Sequence, residues 1–185
     1  YKKQGQRVAF DICPVNKTIN LLAKEARKEM DKDGAMARLG KISVDLLEQL
    51  NMLEYYHRHS PKSLGDEWFH HKFLAVLKKW KDLPLYDRLR TVYEHIAVQI
   101  ARATPAAGNG QILVTGGGAH NTFLMECIKK HNPSHVIIPD RKLVDFKEAM
   151  VFAFMGLLRS QDKVNCLASA TGASRNSSCG VIFRI

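Results

Sequence analysis

The sequence predicts an α/β protein, a mixed sheet flanked by helices and interrupted by a long helical insertion. Three observations predict it. Residues 112–138 read as strand, helix, strand, the crossover unit of a parallel sheet. Near the start an apolar, β-compatible run, Arg7-Val-Ala-Phe-Asp-Ile12, closes on a carboxylate and feeds a helical pattern. Between the two, residues 43–100 carry helical periodicity with no convincing strand. With 185 residues, 45% of them hydrophobic, the chain suits one ordinary domain whose core removes roughly 70% of the unfolded surface from water.

Taken in order, Arg7–Ile12 reads as a strand with Asp11 at its C-terminal end. Ligands of open α/β sheets collect outside that end, so Asp11 is either a group for chemistry or a carboxylate satisfied by loop N–H groups. Asn16 reads as the N-cap of a helix whose inner face is Ile19, Leu22, Ala23 and Ala26. Asp31-Lys-Asp-Gly34 is a turn by composition. Ser43 reads as the cap of the next helix, with Leu46, Leu47, Leu50 and Leu53 inward. Ser63 and Asp66 form a Ser-x-x-Asp pair for a helix running to about Trp80, with Lys62 just ahead of it, solvated or reaching an anion. Pro84 opens a helix through Leu85, Leu89, Val92, Ile96 and Ile100, in which His95 is a partly buried residue. Thr104–Gly110 is a loop of breakers.

The run Gln111-Ile-Leu-Val-Thr-Gly-Gly-Gly-Ala-His-Asn121 then reads as a strand entering a glycine turn ahead of an amphipathic helix. Gly116, Gly117 and Gly118 leave no Cβ between backbone and ligand, and the helix offers free N–H groups. The turn either holds a polar ligand such as a nucleotide or only lets helix and strand pack closely. Ser134–Ile138 reads as a strand. Asp145-Phe-Lys-Glu148 reads as a capping box for a helix from Phe146 to about Arg159, apolar nearly all round and so expected to be buried; Glu148 closes the cap or lines a cleft. Residues 168–174 form a small-residue loop, and Gly180–Ile185 reads as a last strand.

The net charge of +10 raises a nucleic-acid reading, but the lysines and arginines are spread over helix faces beside acids, with no aromatic-studded strand for stacking bases. No apolar run approaches the ~20 residues that span a bilayer. Cys13, Cys127, Cys166 and Cys179 are scattered without a Cys-x-x-Cys pair, which predicts reduced thiols and a cytoplasmic setting. His57, His59, His70 and His71 lack carboxylate or cysteine partners at ligand spacing, so no metal centre is predicted from them. Tyr1 is not an initiator methionine and a strand-like run begins by Arg7, so the natural polypeptide is expected to extend upstream.

Four stretches stand together: Phe10-Asp11 with Pro14 and Asn16; Pro61-Lys62-Ser63-x-Gly65; Gly116-Gly117-Gly118-Ala119-x-Asn121; and Asp145-Phe146-x-Glu148-Ala149 followed by Thr171-Gly172-Ala173. In order and spacing they resemble the C-terminal half of anhydro-N-acetylmuramic acid kinases, members of the actin, Hsp70 and sugar-kinase superfamily. The resemblance covers nearly the whole chain. It implies a ribonuclease H-like (actin-like ATPase) sheet for residues 1–185 as the C-terminal lobe of a two-lobed protein, with the insertion at 43–100 beside the sugar and the N-terminal lobe outside this chain. It implies an ATP-dependent kinase that opens 1,6-anhydro-N-acetylmuramic acid with water and phosphorylates O6, giving N-acetylmuramic acid 6-phosphate in bacterial peptidoglycan recycling.

By the same resemblance Asp11 is the general base, and Gly116, Gly117, Gly118, Ala119 and Asn121 lie on the adenosine side of the nucleotide cleft. Asn16, Lys62, Ser63 and Glu148 are carried as substrate-side candidates. The partners are ATP and a small amino sugar, without nucleic acid or membrane, and dimerisation is left open. Mg²⁺ and the β- and γ-phosphates belong mainly to the part outside this chain, so the chain alone is expected to be inactive. One departure stands out: Cys13-Pro14-Val15 replaces the family's Gly-Pro-Gly, so side chains stand where the family has bare backbone. The alternative is a non-catalytic nucleotide-binding or Hsp70-like chaperone-related domain of the same superfamily, in which Asp11 does no chemistry.

Overall fold

Helix α5 (Leu85–Ala103) is the element at the centre of the main helical core. The computed structural model describes residues 2–3, 5–104, 111–132 and 136–183. Pro84 opens α5, its carbonyl accepting from Asp87 N and Arg88 N at 3.0 Å each, because a residue with no N–H loses nothing at a helix start. Leu89, Val92, Tyr93, Ile96 and Ala97 recur at three- and four-residue steps and are fully buried. Against them lie α1 (Asn16–Glu25), α2 (Val44–Asn51) and α6 (Thr122–His131), bringing Ile19, Leu22, Leu46, Leu50, Leu124 and Ile128 into one core. Each such side chain is worth about 1.5–3 kcal/mol of transfer from water.

The segment after the 3-10 turn Glu54–His57 differs in detail from the sequence expectation. A short α3 (Asp66–Trp68) passes through a widened π-type turn, Phe69–Phe73, into α4 (Leu74–Lys79). Gly65 stands at the N-cap without a side-chain bond. Ser63 therefore does not cap this helix, and Asp66, its first residue, pairs with Lys17 of α1 instead. Asn16 is likewise the first helical residue of α1 and not its cap, a position taken by Val15. In both places a polar side chain faces a neighbouring segment, where tertiary contacts outweigh the local N–H groups. Ser43 does cap α2, accepting from Leu46 N at 3.4 Å.

Strand content is small. Lys2–Lys3 (β1) pairs antiparallel with Gln6–Arg7 (β2). The run Arg7–Ile12 is not a ladder strand beyond Arg7, because the described residues offer it no further partner strand. Ile112–Leu113 (β3) pairs parallel with Val136–Ile137 (β4) across α6, in register Ile112↔Val136 and Leu113↔Ile137, which is the expected crossover. The described chain is a helix-rich α/β structure with this two-strand parallel sheet. The expected loop at 105–110 and the first residues of the expected strand at 134–138 lie outside the described residues.

Helix α7 (Arg141–Ser160) begins earlier than the Asp145–Glu148 box suggested, because Asp140 is its cap, accepting from Leu143 N at 3.0 Å. The expected burial of α7 is overturned more sharply. Phe146 is 66% exposed and Phe152 64%, and Val144 is the residue of this helix that is buried. Gly180–Phe183 is not a strand, and Phe183 is exposed. A short α8 (Ala168–Thr171) ends at Gly172 in the left-handed region. Among the described residues no surface covers the apolar face of α7, and composition alone cannot bury a helix.

Candidate functional site

Asp11 is held from three directions by the segment 55–64. Its Oδ2 accepts from Leu64 N at 2.7 Å, its N–H donates to Lys62 O at 3.3 Å, and its carbonyl accepts from Tyr55 OH at 2.6 Å. The carboxylate is exposed and lines a cavity of about 290 Å³ with Cys13, Pro14, Lys17, Leu64 and Asp66. Oδ1 makes no hydrogen bond among the described residues, so one oxygen is fixed and the other is available to accept a proton. Burial pushes the Cys13 thiol up to about 12, which favours its protonated form. Tyr55 is raised to about 12, first by burial and then by the Asp11 charge, which keeps its hydroxyl a donor to the Asp11 carbonyl.

The glycine turn is built differently. Gly116 has φ +81, where other residues are strained, and its carbonyl accepts from Ala119 N at 2.9 Å. A 3-10 turn, Gly117–His120, leads to Asn121, whose Oδ1 caps α6 through Leu124 N at 3.0 Å. Asn121 Nδ2 donates to Tyr93 OH at 2.8 Å and to Asp31 O at 3.3 Å. Tyr93 OH in turn donates to Asp31 Oδ2 at 3.2 Å, and the same buried carboxylate accepts from Met36 N and Ala37 N. The turn's shape is thus pinned by a polar chain from α6 through α5 to the loop after α1. Burial raises Tyr93 above its usual range, which keeps it a donor. Gly34 in that loop has φ +68, and a Cβ there would meet Phe123 Cβ at 2.4 Å.

A cavity of about 330 Å³ opens over this turn, lined by Asn16, Asn20, Lys32, Asp33, Gly117, His120 and Asn121 among others. A Cβ on Gly117 would stand 3.6 Å from Asn16 Nδ2, and one on Gly118 3.6 Å from Asn16 Oδ1. Consecutive residues of α1 therefore line different cavities: Asn16 that of the glycine turn, Lys17 that of Asp11. The two cavities flank the same first turn of α1.

The other candidates divide. Ala119 is buried and Asn121 has both side-chain atoms engaged in the fold, so of the glycine-turn residues Gly117 and Asn121 reach the cavity. Lys62 donates to Tyr55 O at 3.1 Å, lies over the Tyr55 ring at 4.6 Å, and faces a third cavity rather than that of Asp11. Ser63 is exposed, and Glu148 on α7 is exposed; neither lines these three cavities. Sequence reasoning missed Asp31, which was read only as part of a turn, and His120, whose Nε2 lies 2.8 Å from Asp145 Oδ1. The His120 bond first, then Arg141, holds the Asp145 carboxyl below its usual range and ties α7 to the glycine turn. Among the described residues no group of three or more His, Cys, Asp or Glu is gathered to hold a metal ion. No described helix is long and apolar enough to cross a membrane.

Comparison with known proteins adds two findings. The family described as anhydro-N-acetylmuramic acid kinase matches residues 2–185. Curated proteins of that name are similar over most of the chain: one from Rhodococcus erythropolis is 32% identical over 94% of this chain and 45% of its own length. One from Aliivibrio fischeri is 33% identical over 98% and 52%, and one from Streptomyces coelicolor 34% over 96% and 47%. The chain spans about half the length of the curated relatives it matches.

Proposed function

The chain belongs to the anhydro-N-acetylmuramic acid kinase family, and from that premise we propose that it forms the C-terminal lobe of a bacterial, cytoplasmic kinase that consumes ATP and 1,6-anhydro-N-acetylmuramic acid. The observation that carries this reading is Asp11, an exposed carboxylate with one oxygen fixed by Leu64 N–H and the other open to a cavity. Asp11 takes a proton from water as the water oxygen bonds to C1. The C1–O6 bond breaks, O6 bonds to the γ-phosphorus of ATP, and ADP leaves with N-acetylmuramic acid 6-phosphate. One carboxylate suffices, because the departing oxygen is trapped by phosphorus and needs no second acid.

The glycine turn forms the adenosine side of the nucleotide site, with Gly117 presenting backbone and Asn121 holding the turn in shape. Asn16 stands between the two cavities and contacts the turn. Residues 43–100 shape the sugar side, and the second lobe carries a ribonuclease H-like sheet extended by chain that the longer relatives possess. Among the described residues no group of three or more His, Cys, Asp or Glu is gathered to hold Mg²⁺.

The test uses a full-length family member carrying this lobe. Asp11→Asn should lower turnover by about 10²–10⁴-fold, while nucleotide affinity is kept within about threefold. Reaction in ¹⁸O water should place the label at C1 of the product and not in its phosphate. Undiminished turnover by the Asn variant would reduce Asp11 to a structural residue. The 185-residue chain alone, mixed with ATP, Mg²⁺ and the anhydro sugar, should show no turnover.

A further inference from the structure

We propose that the cavity lined by Arg58, His59, Lys62 and Arg102 is a binding site for a small oxyanion, a carboxylate or a phosphomonoester, next to the Asp11 cavity but separate from it. It measures about 240 Å³ and shares Ile12 with the Asp11 cavity. Three side chains that carry positive charge and a histidine converge there, and no carboxylate lines it. Arg58 is paired with Glu54 at 2.7 Å, both side chains exposed. Among the described residues no ion pair joins His59, Lys62 or Arg102 to an acid.

The back wall supplies no compensating acceptor of charge. Asn51 Oδ1 accepts from Gln99 Nε2 at 2.7 Å and lies 2.8 Å from His95 Nδ1, so that nitrogen carries the proton. His95 Nε2 is then bare and accepts from Tyr56 OH at 2.9 Å. The Tyr56 hydroxyl and the Gln99 amide N–H are committed inward, and the donors left to the cavity are the cationic side chains, His59 and the Ser60 hydroxyl. Partial burial lowers Lys62 from its usual value, as befits a cation held without an acid. Lys62 and Arg102, gathered without an acid of their own, repel one another, and a bound oxyanion removes that repulsion while accepting charge-assisted hydrogen bonds.

The position gives such an anion a route to the carboxylate: Lys62 lines the anion cavity with its side chain while its carbonyl accepts from Asp11 N. Binding, however, is measured without turnover, so this proposal and the kinase reading fail independently. Isothermal titration of the protein with inorganic phosphate, lactate and glucose 6-phosphate should give saturable one-to-one binding of at least one of the three. Preference for lactate assigns a carboxylate, preference for glucose 6-phosphate over phosphate assigns a sugar-borne phosphomonoester, and equal binding of the two phosphates assigns the free anion. Arg102→Gln, on an exposed side chain, and Lys62→Gln should each weaken binding about tenfold, the loss of one charge-assisted bond. Lys79→Gln on α4 should leave it unchanged. Absence of saturable binding by all three probes, or equal weakening by Lys79→Gln, would overturn the site in favour of diffuse attraction to a basic protein.

Discussion

Helices α5 and α7 are of nearly equal length, 19 and 20 residues, and their fates are opposite. α5 carries Arg88, Thr91, Glu94, His95 and Gln99, all buried. α7 carries Phe146, Met150, Val151, Phe152, Phe154 and Leu157, all exposed. The more polar helix became the core and the more apolar one did not. The difference teaches that an apolar face states a requirement, and that burial depends on whether another surface is present to meet it. α5 has α1, α2 and α6 around it, and its polar groups find partners: Arg88 meets Glu25 at 2.5 Å, and Glu94 meets His131 at 2.8 Å.

The sharpest way to break this comparison is a truncation in α5. Leu89→Ala in α5 should cost about 2–5 kcal/mol in urea unfolding, the loss of a fully buried side chain plus the cavity left behind. A loss below ~1 kcal/mol would mean that α5 is not the centre of the core.

Acid should find the same helix next. Burial lowers His95 from 6.5 to about 3, so the folded state resists a proton that the unfolded chain accepts. Its contribution is complete above about pH 6.5 and is lost as pH falls from there toward 3, at up to ~1.4 kcal/mol per pH unit. Wild type should therefore lose stability steeply between pH 6 and 4, as read by thermal melts. His95→Gln should start less stable and show a shallower slope over that window; an unchanged slope would place the acid sensitivity elsewhere.

The smallest effect belongs to α7. Phe152→Ser should change the stability of this chain by less than about 0.5 kcal/mol, since no packing is removed, and should raise its solubility. The same change in a longer family member should cost about 2–4 kcal/mol if additional chain covers α7 there. A large loss in the short chain would show that α7 is already packed in solution.

Much of the helical frame was legible in the sequence because it is local. Periodic Leu89, Val92 and Ile96 behind Pro84 announced α5, Ser43 announced the start of α2, and the run from Ile112 through the glycines to Val136 announced a parallel crossover. Local signals misled where a side chain had a better partner far along the chain. Asn16 turns to the glycine turn, Asp66 to Lys17, and Asp140 caps α7 in place of Asp145, which meets His120. The candidate site was read as residue types: Asp11 and Gly116 to Gly118 were singled out by motif alone. That Asp11 is fixed by Leu64 N–H, that Lys62 faces another cavity, and that Asp31 and Tyr93 hold the glycine turn are long-range facts with no sequence periodicity to betray them.

By itself the sequence determined which segments become helices, where the strand crossover falls, and to which family the motifs point, because propensity, capping and spacing act within a few residues. Tertiary structure alone decided which apolar faces are covered and which polar groups stand together. Those outcomes depend on contacts between segments tens of residues apart, where the energy of a buried or hydrogen-bonded neighbour exceeds any local preference.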